Sequence, residues 1–208
     1  TAFNLSCSGN TETFNITVNP TPIFTQLDDT LICNNTSFTY TPITNVSSLY
    51  EWQGLANVNV NGITTNLQNG SAILDSLTNT TNVQQVVDYE VTPISSPEGC
   101  IGSTSTFEVT VQPDIIMTSP GNYEICSGTS VNSILTSNIP STYVWFATNN
   151  PNVTGESNFN QTGSVINDIL INTSSTQQLV VYTIIPTSVN GNCQGSPLTV
   201  SVIVNPEL

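Results

Sequence analysis

Apolar and polar residues alternate along several short stretches of the chain. Residues 86–93 (VVDYEVTP) and 107–111 (FEVTV) show this alternation, and residues 179–186 and 198–204 show it again. An alternation with a period of two residues places one face of a strand against a core and the other face in solvent. A loop that holds Gly and Cys separates the two members of each pair. Each pair therefore predicts two long antiparallel strands.

The remaining predicted strands are shorter, and each occurs twice. They are a middle strand that carries a Trp, an early strand and a less distinct later strand, at 50–52 and 143–146, 38–40 and 131–135, and 72–77 and 165–170. Val, Ile and Tyr favour strands, whereas Asn, Ser, Gly and Pro favour turns. About seven short strands in 93 residues predict an all-β, immunoglobulin-like sandwich.

The whole chain matches itself at an offset of 93 residues, without a gap. Aligning 23–115 with 116–208 gives about 35 identical residues in 93 positions. Identical columns include Cys7, Cys100 and Cys193; Cys33 and Cys126; Trp52 and Trp145; Asp75 and Asp168. Such a match indicates tandem copies of one structural unit. We predict the end of a preceding repeat at 1–20 and full repeats at 21–113 and 114–208.

The joints between the predicted repeats are short and contain proline. They read VNPTP at 18–22 and VQPD at 111–114. Proline fixes φ and stiffens a connection. Short proline joints between sandwiches predict a rod.

The charge pattern excludes several classes of partner. The chain has no Lys, Arg or His and 14 Asp and Glu, giving a formal net charge of −14. Nucleic-acid binding depends on Lys and Arg, so we expect no nucleic-acid partner. Anionic membrane surfaces are disfavoured for the same reason. No stretch approaches the length of an apolar membrane span, so we expect no membrane insertion in this segment.

The same absences remove most enzyme chemistry. Serine–histidine triads, Cys–His dyads and phosphate-binding P-loops need His or Lys. The sequences Asp29-Thr30-Leu31 and Asp75-Ser76-Leu77 lack the Gly of an aspartic-protease motif. Outside the linkers, only the Asp75 and Asp168 column holds an acid in both full repeats. We predict that the chain is not an enzyme.

Two pairs of segments carry a resemblance to a known family. YEVTPISSPEGCIGSTSTFEVTVQP and YTIIPTSVNGNCQGSPLTVSVIVNP resemble the closing strands of PKD-like repeats in very large flavobacterial surface proteins. LICNNTSFTY and EICSGTSVNSILTS resemble the Cys-Ser-Gly turn that opens such repeats. Asn34-Asn35 stands where the family more often has Ser-Gly, which leaves the form of that turn open. The resemblance implies export by the type IX system and a place in a surface adhesin, some of which drive gliding motility.

The cysteines indicate an oxidising, extracellular compartment. The simplest pairing is Cys33–Cys100 and Cys126–Cys193 within each repeat, with Cys7 paired outside this segment. A standard sandwich opposes that pairing, since it places the two cysteines of one repeat at opposite ends. The same geometry lets Cys33 reach Cys193 across the repeat junction, because a disulfide spans only about 6 Å between Cα atoms. Free buried thiols are the third alternative.

Two further features have a chemical and a structural interpretation. Asp28, Asp29 and Asp114 lie near the joints and could bind Ca²⁺, but no calcium-loop motif surrounds them, so we favour a solvated acidic surface and expect no cofactor. Trp52 and Trp145 could stack on sugars, but their positions in apolar strands favour the core.

Two kinds of glycosylation motif occur. Thr30 and Ser76 each follow Asp and precede an apolar residue, which resembles a bacteroidete O-glycosylation site; the second repeat has Tyr123 and Ile169 there. Ten Asn-x-Ser/Thr matches also occur, which an Asn- and Thr-rich chain produces by chance: Asn4, Asn15, Asn34, Asn35, Asn45, Asn69, Asn79, Asn152, Asn160 and Asn172.

The sequence as a whole predicts a structural stalk segment of a giant extracellular adhesin or surface filament. Its expected partners are neighbouring repeats of the same chain. Two alternatives stay open. A polysaccharide-binding module of a secreted protein predicts exposed aromatic patches in one repeat. A subunit of a polymeric sheath or filament predicts an apolar stripe on the outer sheet faces.

Overall fold

The computed structural model describes residues 12–119 and 121–207, and the regular structure in these residues is β-strand. The strands of the first repeat are β1 (Phe24–Gln26), β2 (Thr30–Ile32), β3 (Thr36–Tyr40), β4 (Ile43–Thr44), β5 (Ser48–Gly54), β6 (Val60–Asn61), β7 (Gln68–Gly70), β8 (Ile73–Asn79), β9 (Gln85–Ser95) and β10 (Ser105–Val111). Those of the second are β11 (Asn122–Cys126), β12 (Thr129–Ser130), β13 (Ser133–Ile134), β14 (Ser141–Ala147), β15 (Val153–Thr154), β16 (Gln161–Thr162), β17 (Val165–Ile166), β18 (Ile169–Asn172), β19 (Gln178–Ser188) and β20 (Leu198–Asn205).

Each repeat is a sandwich of a five-stranded sheet and smaller sheets. The large sheets have the orders β2-β10-β9-β5-β7 and β11-β20-β19-β14-β16. The facing strands pair as β3-β8-β6 in the first repeat, and as β12-β18-β15 and β13-β17 in the second. In both large sheets the edge strand pairs in parallel with the last strand, β2 with β10 and β11 with β20. The predicted all-β, tandem immunoglobulin-like fold is confirmed.

The facing sheet of the second repeat is interrupted where that of the first is continuous. We predicted single strands at 131–135 and 165–170, but the pairing breaks at 131–132 and 167–168. Asn132 has a positive φ of 49° there, which takes it out of the ladder. The flanking pairs, Thr129 with Leu170 and Ser133 with Ile166, keep the register of β3 and β8.

Each repeat has its own core, to which alternating strand residues contribute. In the first repeat the Tyr89 ring stacks on Phe107 and meets Phe38 edge-on. Trp52 and Trp145 are both buried, so the prediction that they belong to the core is confirmed. A core inside each repeat means that the junction between repeats is not needed to bury the main apolar surface.

The predicted segment 1–20 lies largely outside the described residues, and its residues 12–20 contain no strand. In the described residues no helix has the length and apolar character needed to cross a bilayer.

Candidate functional site: the junction between the repeats

The two cysteines of the first repeat lie at opposite ends of β10. Cys33 directly follows β2, whose last residue, Ile32, pairs with Val111 at the end of β10. Cys100 lies in the loop that leads into the start of β10, and its backbone N–H donates to Ser95 Oγ at 2.9 Å. Seven residues of strand separate those ends by about 20 Å. A disulfide cannot span that distance.

Cys33 is bonded to Cys193 in the loop between β19 and β20 of the second repeat. The two Cα atoms are 5.4 Å apart, although the residues are 160 positions apart in sequence. The expected pairings Cys33–Cys100 and Cys126–Cys193 are therefore wrong in this structure, and the alternative across the junction is the one that forms. The reason is topological, since the end of β10 is where the first repeat meets the second.

Local hydrogen bonds fix both cysteine loops. Thr36 Oγ1 donates to the Cys33 carbonyl at 2.6 Å, which closes the turn between β2 and β3. Asn35 has a positive φ of 55° in that turn, and its counterpart Gly128 has 78°. The turn that the sequence left open thus uses the same left-handed backbone conformation as its Ser-Gly counterpart. The Cys193 N–H donates to Ser188 Oγ at 2.9 Å.

Hydrogen bonds and an apolar contact also cross the junction. Gln112 Nε2 donates to the Asn190 carbonyl at 3.2 Å, and Asn138 Nδ2 donates to the Asn82 carbonyl at 3.3 Å. Leu31 packs directly on Gly191, where an added Cβ would lie 2.1 Å from Leu31 Cδ2. Among the described residues, the disulfide, these two hydrogen bonds and this apolar contact connect the two repeats.

Cys100 and Cys126 carry free thiols among the residues that the structure describes. Cys100 is half-buried and Cys126 is exposed, and they lie at the two ends away from the junction. Cys7 and its expected partner outside this segment lie beyond the described residues. Each full repeat therefore contributes one cysteine to the junction and keeps one at its outer end.

The matched acids Asp75 and Asp168 hold loops in place. Asp75 accepts hydrogen bonds from Thr64 N at 2.9 Å, Thr64 Oγ1 at 2.6 Å and Tyr89 Oη at 2.6 Å. Asp168 accepts the same three types of bond from Ser157 and Tyr182 in the second repeat. Every donor comes from the same repeat, so this carboxylate fastens a loop to the core.

The tyrosines of these networks stay protonated. Burial, reinforced by the hydrogen bond to the Asp75 carboxylate, raises the pKa of Tyr89 far above its ordinary value. Burial and the Asp168 carboxylate raise the pKa of Tyr182 in the same way. Each hydroxyl therefore acts as a donor over the whole physiological pH range.

The three acids that we considered as calcium ligands each have a different hydrogen-bond partner. Asp29 Oδ1 accepts a bond from the Glu108 N–H at 2.8 Å, and Asp28 Oδ2 accepts one from Gln26 Nε2 at 2.7 Å. Asp114 lies in the linker, where its carbonyl accepts a bond from Asn138. Within 12–119 and 121–207, no three Asp, Glu or Cys side chains come together as a metal-binding group.

The candidate glycosylation residues differ in accessibility. Ser76 is exposed on β8 and Thr30 is half-buried on β2, and nothing in the structure tests their modification. Asn79 and Asn172 are only 4% and 6% exposed, because their side-chain amides bond to backbone inside each repeat. At these two positions the Asn-x-Ser/Thr pattern has a structural origin.

The surface features expected of the two alternative functions are sparse. In the described residues the strongly exposed aromatic side chains are Phe14 and Phe159, which belong to different parts of the chain and form no patch. The second repeat carries four exposed apolar residues on strands of its facing sheet, Ile134, Val165, Ile169 and Ile171. The first repeat has Thr41, Ala72, Ser76 and Thr78 at the same positions, so the stripe does not repeat.

The fold and the covalent junction define a tandem immunoglobulin-like protein. Residues 30–115 and 123–208 each match the family model of the PKD-like domain, and the chain therefore belongs to the PKD-like domain family. A comparison with curated protein sequences finds no match.

Several solved structures are similar to this chain at low sequence identity. A titin I-band fragment, I67–I69, is 12% identical, with 90% of this chain and 66% of that chain covered and a TM-score of 0.41. Mouse cadherin-23 EC22–24 is 10% identical, with 90% of this chain covered and a TM-score of 0.39. This chain spans 64% of that cadherin fragment. Human mucin-like protocadherin EC1–2 is 12% identical, with 89% and 98% covered and a TM-score of 0.35.

Sequence reasoning missed the residues that support the disulfide. Gln112, Leu31 and Gly191 align with Asn205, Glu124 and Glu98, so the repeat match gives no sign of a shared role. The sequence did indicate the junction itself, because the two cysteines of one repeat are expected at opposite ends of a sandwich.

Proposed function

We propose that this chain is a non-enzymatic, load-bearing spacer in an extracellular surface protein, as expected for the stalk of an adhesin. The observation that carries the proposal is the Cys33–Cys193 disulfide. It joins the end of the first sandwich at which β10 finishes to the adjoining end of the second sandwich. A disulfide at this place adds little to either core. Its effect is on how the two repeats are connected.

The disulfide changes the path that tension takes through the molecule. Force applied at the two ends of the chain reaches Cys33, crosses the bond and leaves from Cys193. The 159 residues between the two cysteines are bypassed, which leaves 49 residues (208 − 159) that can be drawn out. Residues 34–192, which contribute most side chains of both cores, therefore lie outside the path of tension.

Composition supports an exposed location. A disulfide persists in oxidising compartments. Uniform negative charge keeps chains apart in solution. The absence of Lys and Arg removes all cleavage sites for trypsin-like proteases. The resemblance to repeats of type IX-exported surface proteins supports an adhesin, in which this segment provides reach and another part of the chain provides contact. Gliding motility rests on that resemblance alone.

Single-molecule extension tests the load-bearing function. The full chain is held at its two termini through cysteine-free tags and pulled until it is extended. Fully extended polypeptide measures about 3.5 Å per residue. The native chain should therefore extend to about 170 Å, and the Cys33→Ser variant to about 700 Å.

The matched control is Cys126→Ser, which removes the equivalent cysteine of the second repeat and leaves the junction intact. It should extend like the native chain. Full extension of the oxidised native chain, equal to that of Cys33→Ser, would rule out tension shielding as the role of the disulfide.

A further inference from the structure

Each full repeat has two cysteine positions, and the junction uses only one from each. The first repeat contributes Cys33 and keeps Cys100, whereas the second contributes Cys193 and keeps Cys126. The 93-residue match makes Cys126 the counterpart of Cys33 and Cys100 the counterpart of Cys193. The two free cysteines are thus the two complementary halves of a junction like the one already formed.

The turn around Cys126 has the geometry of the bonded half. Thr129 Oγ1 donates to the Cys126 carbonyl at 2.6 Å, the same distance as from Thr36 Oγ1 to the Cys33 carbonyl. Gly128 has the left-handed backbone conformation of Asn35. Cys126 is therefore already presented as Cys33 is.

The loop around Cys100 matches the other half. The Cys100 N–H donates to Ser95 Oγ at 2.9 Å, as Cys193 N–H does to Ser188 Oγ. The residues that precede the two cysteines, Gly99 and Asn192, both have positive φ.

The sites around the two free cysteines are more exposed than the equivalent sites at the junction. Cys193 is 5% exposed and Gln112 is 1% exposed, because the adjoining repeat covers them. At the outer ends Cys126 is exposed, Cys100 is half-buried and Asn205, the counterpart of Gln112, is half-buried. The two outer ends therefore have the local geometry of the junction, but no neighbouring repeat buries them among the described residues.

We propose that Cys126 forms a disulfide with a following PKD-like repeat. Its partner is the cysteine that is equivalent to Cys193 in that repeat. Cys100 likewise bonds to a preceding repeat, at the cysteine that is equivalent to Cys33. The proposal deepens the load-bearing function and rests on it. The partner at each end is another repeat of this kind, so every junction in the array is covalently closed.

An array closed in this way has a short covalent path. Tension crosses each bond, follows the chain from a Cys100-type to a Cys126-type position, and crosses the next bond. That stretch covers 26 residues (126 − 100) in every two repeats, or 26 of 186 (2 × 93). The remaining residues of the array lie outside the shortest path.

Each bond requires a disulfide oxidant, and thiol–disulfide exchange balances the reaction. The Cys126 thiolate attacks one sulfur of the oxidant, which gives a mixed disulfide and releases the oxidant's other sulfur as a thiolate. The partner cysteine's thiolate then attacks the Cys126 sulfur and releases the second thiolate. The two protons lost by the cysteines neutralise these thiolates, and the oxidant gains two electrons.

The facing loop affects how well a partner fits. Leu31 packs on Gly191 at the existing junction, and Glu124 stands in the place of Leu31 beside Cys126. A loop of the Cys193 type presents Gly at the facing position, whereas the Cys100 loop has Glu98 there. Two facing carboxylates repel each other, so the loop with Gly is the better partner for Cys126.

The test is an extended chain with a second copy of residues 116–208 attached directly after Leu208, which keeps the 93-residue spacing. The protein is refolded in a mixture of reduced and oxidised glutathione and digested, without reduction, by a non-tryptic protease. The added copy carries Ser127→Thr and Ser196→Thr, so the masses of its cysteine peptides differ from those of the original repeat. We expect a peptide that joins the original Cys126 to the Cys193 of the added copy, beside the peptide that joins Cys33 to the original Cys193. In a parallel chain that carries residues 23–115 instead, the bond from Cys126 to the added Cys100 should form at least several-fold more slowly.

Two outcomes overturn the proposal. One is a free Cys126 in both extended chains while Cys33–Cys193 forms; the other is a statistical mixture of pairings at Cys126. Cys126→Ser in the first extended chain is the control and should leave the added Cys193 free. Loss of the Cys33–Cys193 peptide would instead contradict the load-bearing function itself, so the two failures are distinguishable.

Discussion

At the scale of single residues, several identical columns of the two repeats are polar groups that have the same hydrogen-bond partner in both copies. Asp75 and Asp168 are the clearest case, since each carboxylate accepts three bonds from its own repeat. The sequence showed that this acid was shared but not why. Its donors, Thr64 and Ser157, are two different residue types in a loop, so only the fold reveals that they meet the same carboxylate.

Replacing Asp75 by Asn should destabilise the first repeat by about 1–3 kcal/mol, because an amide leaves at least one of the three donors without an acceptor. Chemical denaturation followed by Trp fluorescence measures the change. Asp88→Asn is the matched control, since Asp88 is exposed on β9, and it should lie within about 0.5 kcal/mol of the native chain. Equal effects of the two substitutions would contradict a fastening role for Asp75.

The buried tyrosines predict a loss of stability in alkali. The pKa of Tyr182 is higher in the folded chain than in the unfolded chain, so above about pH 10 the unfolded state releases the proton first. The free energy of unfolding should then fall with rising pH, by up to about 1.4 kcal/mol per pH unit for each such tyrosine. Denaturation between pH 9 and 11 measures the slope. Tyr182→Phe should reduce it in the second repeat, and an unchanged slope would refute the assignment.

At the scale of strands, each sandwich is closed by an asparagine at the end of the facing sheet. Asn172 Nδ2 donates to the Val204 carbonyl on β20 at 2.9 Å and to the Thr176 carbonyl at 2.7 Å. Its Oδ1 accepts bonds from the N–H and hydroxyl of Ser174. One side chain thus ties β18, the following turn and β20 together.

Asn172→Ala should therefore cost about 1–3 kcal/mol, because it removes a hydrogen-bond donor to the buried Val204 carbonyl. The control, Asn160→Ala, alters an Asn-x-Thr site that is exposed, and should be nearly neutral. Thermal unfolding of both variants measures the difference. A neutral Asn172→Ala would show that the tie between β18 and β20 contributes little.

The sequence predicts the long strands well and the short ones poorly. The central strands β9, β10, β19 and β20 alternate clearly, because one face of each lies in the core. The two-residue strands β6 and β15 have no such pattern. Each lies directly before a glycine, Gly62 or Gly155, at which a Cβ would come within 2.0 Å of a backbone oxygen. That pair of matched glycines is the only sequence sign of the close approach.

At the scale of the whole molecule, each repeat has its own core and a disulfide joins the two repeats. The tandem architecture could be predicted because a 93-residue self-match needs only the sequence. The disulfide pairing could not be predicted in the same way. The self-match shows which cysteines are equivalent in the two repeats, but not which cysteines are bonded to each other. The pairing depends on which ends of the sandwiches meet, and that follows from the parallel pairing of β2 with β10.

The disulfide connectivity of the folded chain decides whether the two repeats are covalently joined. The unreduced chain, folded in an oxidising buffer, is digested with a non-tryptic protease, since trypsin has no site, and the linked peptides are identified by mass spectrometry. We expect one peptide that joins Cys33 to Cys193. Peptides that join Cys33 to Cys100 and Cys126 to Cys193 would contradict this expectation, and would describe two self-contained repeats on a flexible joint.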